Sequence, residues 1–188
     1  MKVLGIMGSP RIQGNTDFLL SRALEGALSQ GAQIEKIVVD KLNITPCKEF
    51  YGCIKDGNCV IRDDMDSVYP KLIDADAIIV ASPMFFYGIS AQLKALIDRS
   101  QVIWARKYIL KQQINKKGRK GAFIGVGATE GEQLFHGSIL TKKYYFKTLD
   151  IEYYDELLVR GIDKRGEINK HPTALSDAFT LGQKLVHA

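Results

Sequence analysis

No run of apolar residues in this chain approaches the roughly 20 that a bilayer-spanning helix needs, although 46% of its 188 residues are hydrophobic. The opening Met1-Lys2-Val3-Leu4 leads straight into a strand-like segment and lacks the layout of a secretory leader. A cytoplasmic protein with no membrane partner is the expectation. Histidine is scarce: His136, His171 and His187 fall at no metal-ligand or triad spacing. His136 lies in an expected helix after the fourth strand; it is within reach of a cleft, but a satisfied structural histidine is the plainer reading. Three cysteines are too few for a disulfide framework. Two phosphate signatures are missing as well. No Gly-Lys-Ser/Thr completes a Walker A loop, and no G-x-G-x-x-G announces a dinucleotide fold.

What is present is an ordinary soluble composition, 25% charged, in a length that buries a full core as one domain over residues 1–188. Net charge is +5, and much of the excess sits in Arg106 to Lys120, where Arg106, Lys107, Lys111, Lys116, Lys117, Arg119 and Lys120 occur without an acid. Such a run reads as a solvated helix end and loop, or as a patch for an anionic partner such as an NADPH phosphate or an acidic carrier protein. No aromatic–basic platform accompanies it, so nucleic acid is not an expected partner.

Strand-like and helix-like segments alternate along the chain. Val3 to Met7, Gln33 to Val39, Asp76 to Ala81, Ala122 to Val126 and Ile151 to Val159 read as strands. Between them, Phe18, Leu19, Ala23, Leu24, Ala27 and Leu28 have helical spacing, Gly31 sits where a helix terminator belongs, and Ser90 caps a helix carrying Leu93, Leu96 and Ile97. A helix is expected from near Gly131-Glu132, and another opened by Pro172 at its first position. Asp63 to Asp74 should hold a helix, but Pro70 lies inside it, so the helix either starts near Tyr69 or is kinked there. The pattern is a doubly wound α/β sandwich of three layers, with a five-stranded parallel sheet in the order 2-1-3-4-5.

In such a sheet the ligand sits beyond the carboxyl ends of the strands. The loop after the first strand, Gly8-Ser9-Pro10-Arg11-Ile12-Gln13-Gly14-Asn15-Thr16, joins a strand to a helix through small, hydroxyl and amide residues. Free N–H groups at the helix start, donors from Ser9, Asn15 and Thr16, and the charge of Arg11 make a cradle for a monophosphate such as that of FMN. A plain turn with Asn15 or Thr16 as a cap would not need the arginine. After the third strand comes Ser82-Pro83-Met84-Phe85-Phe86-Tyr87-Gly88-Ile89. Pro83, Met84, Phe85, Phe86, Tyr87 and Gly88 supply the flat apolar wall and backbone groups that a tricyclic flavin ring requires. The alternative is that the phenylalanines cap the core and Tyr87 packs at a subunit interface. Gly125 to Gly131 resembles a glycine-rich cofactor loop only superficially, since it lacks the fingerprint spacing.

Gly8-Ser9-Pro10-Arg11…Gly14-Asn15-Thr16, together with Ser82-Pro83-Met84-Phe85 and Ser90-Ala91-Gln92-Leu93-Lys94-Ala95-Leu96-Ile97-Asp98-Arg99, resembles the NADPH-dependent FMN reductases and the iron–sulfur flavoproteins. The resemblance covers residues 1 to about 130 and is architectural beyond. It implies a flavodoxin-like fold, with Ser9, Arg11, Gly14, Asn15 and Thr16 on the FMN phosphate. Pro83 to Gly88 would line the flavin ring, and Gly127, Ala128 and Thr129 would close over its other side. It also implies NAD(P)H as co-substrate and a homodimer or homotetramer with the flavin near a subunit interface.

The iron–sulfur branch carries four cysteines in a compact run, where this chain has Cys47, Phe50, Cys53 and Cys59. Phenylalanine has no lone pair, so a [4Fe–4S] cluster is not expected here. Three readings stay open: a loop that has lost its cluster, a three-cysteine cluster with an outside ligand, or a redox-active or partner-forming thiol pair, with zinc as a weaker variant. Phe50 and Tyr51 suggest that Leu42 to Asp64 is a lid over the flavin pocket of its own or a neighbouring subunit. The leading expectation is an FMN-dependent oxidoreductase passing hydride from NAD(P)H, through the flavin, to a quinone, flavin, nitro- or azo-aromatic or metal acceptor, with no catalytic side chain needed. An electron carrier exchanging electrons with a ferredoxin-type partner is the alternative, and a binding module that has lost its flavin is a third.

Overall fold

The structure, a computed structural model, describes residues 1–113 and 118–187. Strands β1 (Lys2–Met7), β2 (Gln33–Val38), β3 (Ala77–Pro83), β4 (Arg119–Val126) and β5 (Ile151–Val159) are all parallel and lie in the order β2-β1-β3-β4-β5. This is the expected flavodoxin-like sheet. Its helices are α1 (Asn15–Ser29), the short α2 (Cys53–Asp56), α3 (Met65–Asp74), α4 (Ala91–Arg99), α5 (Gln101–Trp104), α6 (His136–Thr148) and α7 (Ala174–His187).

Two cores result because the central strands are buried on both faces. Val3, Met7, Ile79 and Ile124 point to α1 and α7, whereas Leu4, Ile6, Ile78, Val80 and Phe123 point to α3, α4, α5 and α6. The α1–α7 crossing is close: a Cβ on Gly26 would collide with the Phe179 carbonyl, and one on Gly182 with the Ala23 carbonyl. α1 ends at Gly31, whose φ of +82° lets its N–H reach Leu28 O (2.9 Å) and that of Ala32 reach Ala27 O (3.2 Å). Ser90 caps α4 as expected, accepting from Leu93 N–H at 3.2 Å.

One open alternative is decided and three expectations need correction. α3 runs from Met65 rather than starting near Tyr69, with Pro70 in its interior. Its first turn is held by N–H bonds of Asp66 to Asp63 O and Ser67 to Asp64 O, and by Met65 and Val68 in the core. α6 starts at His136, because turns occupy residues 132–135. Pro172 is not the first residue of α7. His171 supplies the cap, its Nδ1 accepting from the N–H groups of Thr173 (3.3 Å) and Ala174 (3.0 Å). The basic segment is not uniformly solvated. Arg119 is buried and donates to the carbonyls of Ala75 (2.8 Å), Leu149 (2.8 Å) and Leu72, where the negative ends of α3 and α6 meet. Lys107 pairs with Asp150, and Arg106 donates to Gly57 O at 2.7 Å. Lys116 and Lys117 lie outside the described residues.

Candidate functional site

α1 begins on Gly14, which has no side chain with which to cap it. The first intrahelical bond runs from Phe18 N–H to Gly14 O, at 3.0 Å. The N–H groups of Asn15, Thr16 and Asp17 therefore have no intrahelical acceptor, and they lie at the positive end of the helix dipole. Asp17, a carboxylate that would repel an anion here, is turned aside: it accepts from Gln13 N–H at 2.8 Å and pairs with Lys36. Ser9 is buried, and its Oγ accepts from Arg11 N–H at 3.1 Å, which leaves the hydroxyl hydrogen to donate elsewhere.

Ser9, Arg11, Gly14, Asn15 and Thr16 line one cleft of about 90 Å³. Pro83, Met84 and Phe85 form its opposite wall, with Ala128 at the end of β4. Phe86, Tyr87, Gly88, Gly127 and Thr129 are not among its lining residues. The reason is local. Phe85 and Gly88 exchange backbone hydrogen bonds of 2.9 Å, and Phe86 and Tyr87 between them have φ of +48° and +62°. That is a two-residue hairpin turn with both central residues left-handed. It turns Phe86 fully into solvent, and it sets Tyr87 against Gly131 and Gly137, where a Cβ would strike the Tyr87 hydroxyl or carbonyl. Gly127 is held by the end of β5 and the loop after it: its N–H donates to Val159 O (2.9 Å) and its carbonyl accepts from Ile162 N–H (3.1 Å).

The cleft also contains Ile162, Asp163 and Arg165, from a segment that was not expected there. The rule that ligands lie beyond the strand ends applies to β5 as well, and Gly161 and Gly166, both with positive φ, bracket that loop. None of the histidines reaches the cleft. His136 is exposed at the start of α6, His171 caps α7, and His187 meets Gln30 at 2.8 Å.

The residues at the cleft fit an FMN phosphate: unpartnered first-turn N–H groups, a buried hydroxyl and an arginine converge on a space the size of an anion. An iron–sulfur cluster fares differently. Cys47, Cys53 and Cys59 line a separate cavity of about 790 Å³ formed with α4, α5 and α6, which shares no lining residue with the cleft. No residue of the Leu42–Asp64 segment lines the cleft itself. Burial, together with the neighbouring Cys47 and Cys59, pushes the Cys53 thiol up. The chain has three cysteines, and among the described residues no three potential ligands converge on a metal position. This donor set does not fit four-thiolate ligation.

The segment is anchored by a residue whose role the sequence did not suggest. Arg99 is buried and donates to Asp63 Oδ2 (2.6 Å), Thr45 O (2.8 Å) and Ile61 O (3.2 Å). Its position in the second motif was visible; its partners, 36 and more residues away, were not.

Comparison with known proteins shows the family. The family model described as NADPH-dependent FMN reductase matches residues 1–137. An iron–sulfur flavoprotein of Methanocaldococcus jannaschii is 39% identical over 129 residues, 69% of this chain and 63% of that protein. The chain thus spans somewhat less than two thirds of that relative's length. A Bacillus subtilis protein provisionally named an NAD(P)H-dependent FMN-containing oxidoreductase is 29% identical over 183 residues, 96% of each chain. Among solved structures, an NAD(P)H:quinone oxidoreductase from Methanothermobacter marburgensis superposes with a TM-score of 0.72 over 98% of both chains, at 16% identity, which speaks to the fold alone.

Proposed function

Because this chain belongs to the NADPH-dependent FMN reductase family, we propose that it binds FMN in the cleft between α1 and the β3–α4 loop and acts as an NAD(P)H-dependent oxidoreductase. The observation that carries the reading is the uncapped, buried start of α1 facing Arg11 in the same cleft as Met84 and Phe85. Bound there, the flavin supplies hydride and electron transfer, so the protein needs no acid–base side chain for that step. Ser9, Arg11, Gly14, Asn15 and Thr16 would hold the phosphate. Pro83, Met84 and Phe85 would exclude water from one side of the ring, and Ala128 would limit the other. A quinone, free flavin, nitro- or azo-aromatic or metal ion is the class of acceptor. Assembly as a homodimer or homotetramer belongs to the same reading, with exposed Phe50 and Tyr51 reaching towards a neighbouring copy.

An anaerobic visible spectrum of the purified protein, before and after NADPH, tests this. Two flavin bands that bleach on addition are expected. Bands that persist with NADPH and NADH, yet bleach with reduced ferredoxin, would make the protein an electron carrier. A colourless protein that takes up no FMN would sink the reading.

A further inference from the structure

Residues 160–168 follow β5 and lie outside the stretch that the family model matches. The segment is nevertheless fastened to the loop before α1 and to the loop after β4, two of the walls of the cleft. Ile162 N–H donates to Gly127 O at 3.1 Å. The Asn15 side chain donates to Lys164 O at 2.9 Å and accepts from Ile168 N–H at 3.2 Å. Arg165 donates from Nη2 to Ile12 O at 2.5 Å and from Nε to Gln13 O at 3.4 Å. Glu167 holds the turn itself, accepting from the N–H groups of Asp163 and Lys164, both at 2.9 Å. The cleft therefore has a fourth wall, tied to the phosphate loop from the other end of the chain.

Charge makes that wall more than a strap. The ionisable side chains lining the cleft are Arg11, Asp163 and Arg165. Arg11 and Asp163 alone would offer an incoming dianion no net charge, and Arg165 restores one positive charge. A guanidinium has five N–H donors in a rigid fork, and the bonds to Ile12 and Gln13 engage two of them. The remaining donors are held in place by those same bonds.

We propose that Arg165 is a second binding residue for the terminal phosphate of the flavin mononucleotide, brought to the cleft by the segment after β5. This rests on the flavin reading above. The test titrates apo-protein with FMN and with riboflavin, which lacks the phosphate, following the quenching of flavin fluorescence. Arg165→Gln should weaken FMN about tenfold or more while leaving riboflavin within about twofold. Arg165→Lys, which keeps the charge, should recover most of the preference for FMN. An equal loss for both flavins makes Arg165 a strap only and overturns the assignment, as does unchanged FMN binding. Should Arg165→Gln fail to fold, the wild-type protein carries the test through labelling with phenylglyoxal. FMN, and not riboflavin, should protect Arg165; labelling at an undiminished rate in the FMN complex overturns the proposal. Wild-type protein that binds neither flavin would instead refute the flavin reading itself.

Discussion

Asp63 and Arg99 form an ion pair at 2.6 Å with side chains 3% and 1% exposed, so nearly all the screening that weakens a surface pair is absent. Asp63 also accepts from the N–H groups of Thr45 (2.9 Å) and Met65 (3.1 Å). Asp63→Asn keeps the shape but removes the charge, and its NH2 group must face either Met65 N–H or the Arg99 and Thr45 donors. The buried guanidinium is then left with neutral oxygen partners only. Breaking a buried pair by removing one charge costs about 3–5 kcal/mol, a large share of the roughly 5–15 kcal/mol that holds a domain folded. With an m-value near 2 kcal/mol/M, the urea midpoint should fall by about 1.5–2.5 M. Asp98→Asn is the control: Asp98 pairs with Lys94 at 2.8 Å but both side chains are about half exposed, so its loss should cost under about 0.5 kcal/mol. Burial tends to raise the Asp63 carboxyl, but Arg99 and the two N–H donors outweigh it and hold the group below the usual range. A depressed folded value contributes stability above the unfolded value of about 3.9 that is lost as pH falls. The gap between wild type and Asp63→Asn should therefore narrow below about pH 4. Because Arg99 also holds Thr45 and Ile61, the variant should become sensitive to limited proteolysis within residues 42–62. A loss below about 1 kcal/mol at pH 7 would refute the claim that this pair is desolvated and essential to the segment's anchoring.

Arg119→Met should lower stability by about 3 kcal/mol, read by chemical denaturation, since it strips the carbonyls of Ala75, Leu149 and Leu72 of their donor. Lys142 is pushed down to about 8 by burial, against the pull of Glu156. A lysine depressed in the folded state adds stability as pH rises from about 8 towards 10.4. Wild type should therefore gain up to about 2 kcal/mol over that window relative to Lys142→Met, and parallel pH profiles of the two would refute the assignment. Phe86→Asn places in the left-handed turn a residue that tolerates it, and should stabilise by about 0.5–1 kcal/mol while FMN affinity stays within about twofold. A large loss of FMN would instead put Phe86 on the ring. Arg11→Ala should weaken FMN by about 1.5–3 kcal/mol in the same titration; unchanged affinity would remove Arg11 from the phosphate site.

Much of this protein is dictated locally. Apolar runs such as Ala77 to Ala81 read as strands buried on both faces, and the small, basic loop before Asn15 reads as the start of a helix that leaves donors for an anion. Those signals are contiguous in the chain, so the strands, the start of α1 and the Ser90 cap were legible in the sequence, and their alternation pointed to the doubly wound sheet. The tertiary structure decided whatever depends on partners distant in sequence. It made Arg119 a buried clamp rather than part of a basic patch, and Arg99 the anchor of the cysteine segment. It also left Phe86 in solvent, placed the three thiols along a separate cavity, and brought Arg165 to the loop before α1. Side-chain type states what a residue can bond to. Only the packing of the two layers on the sheet determines which of those bonds are within reach.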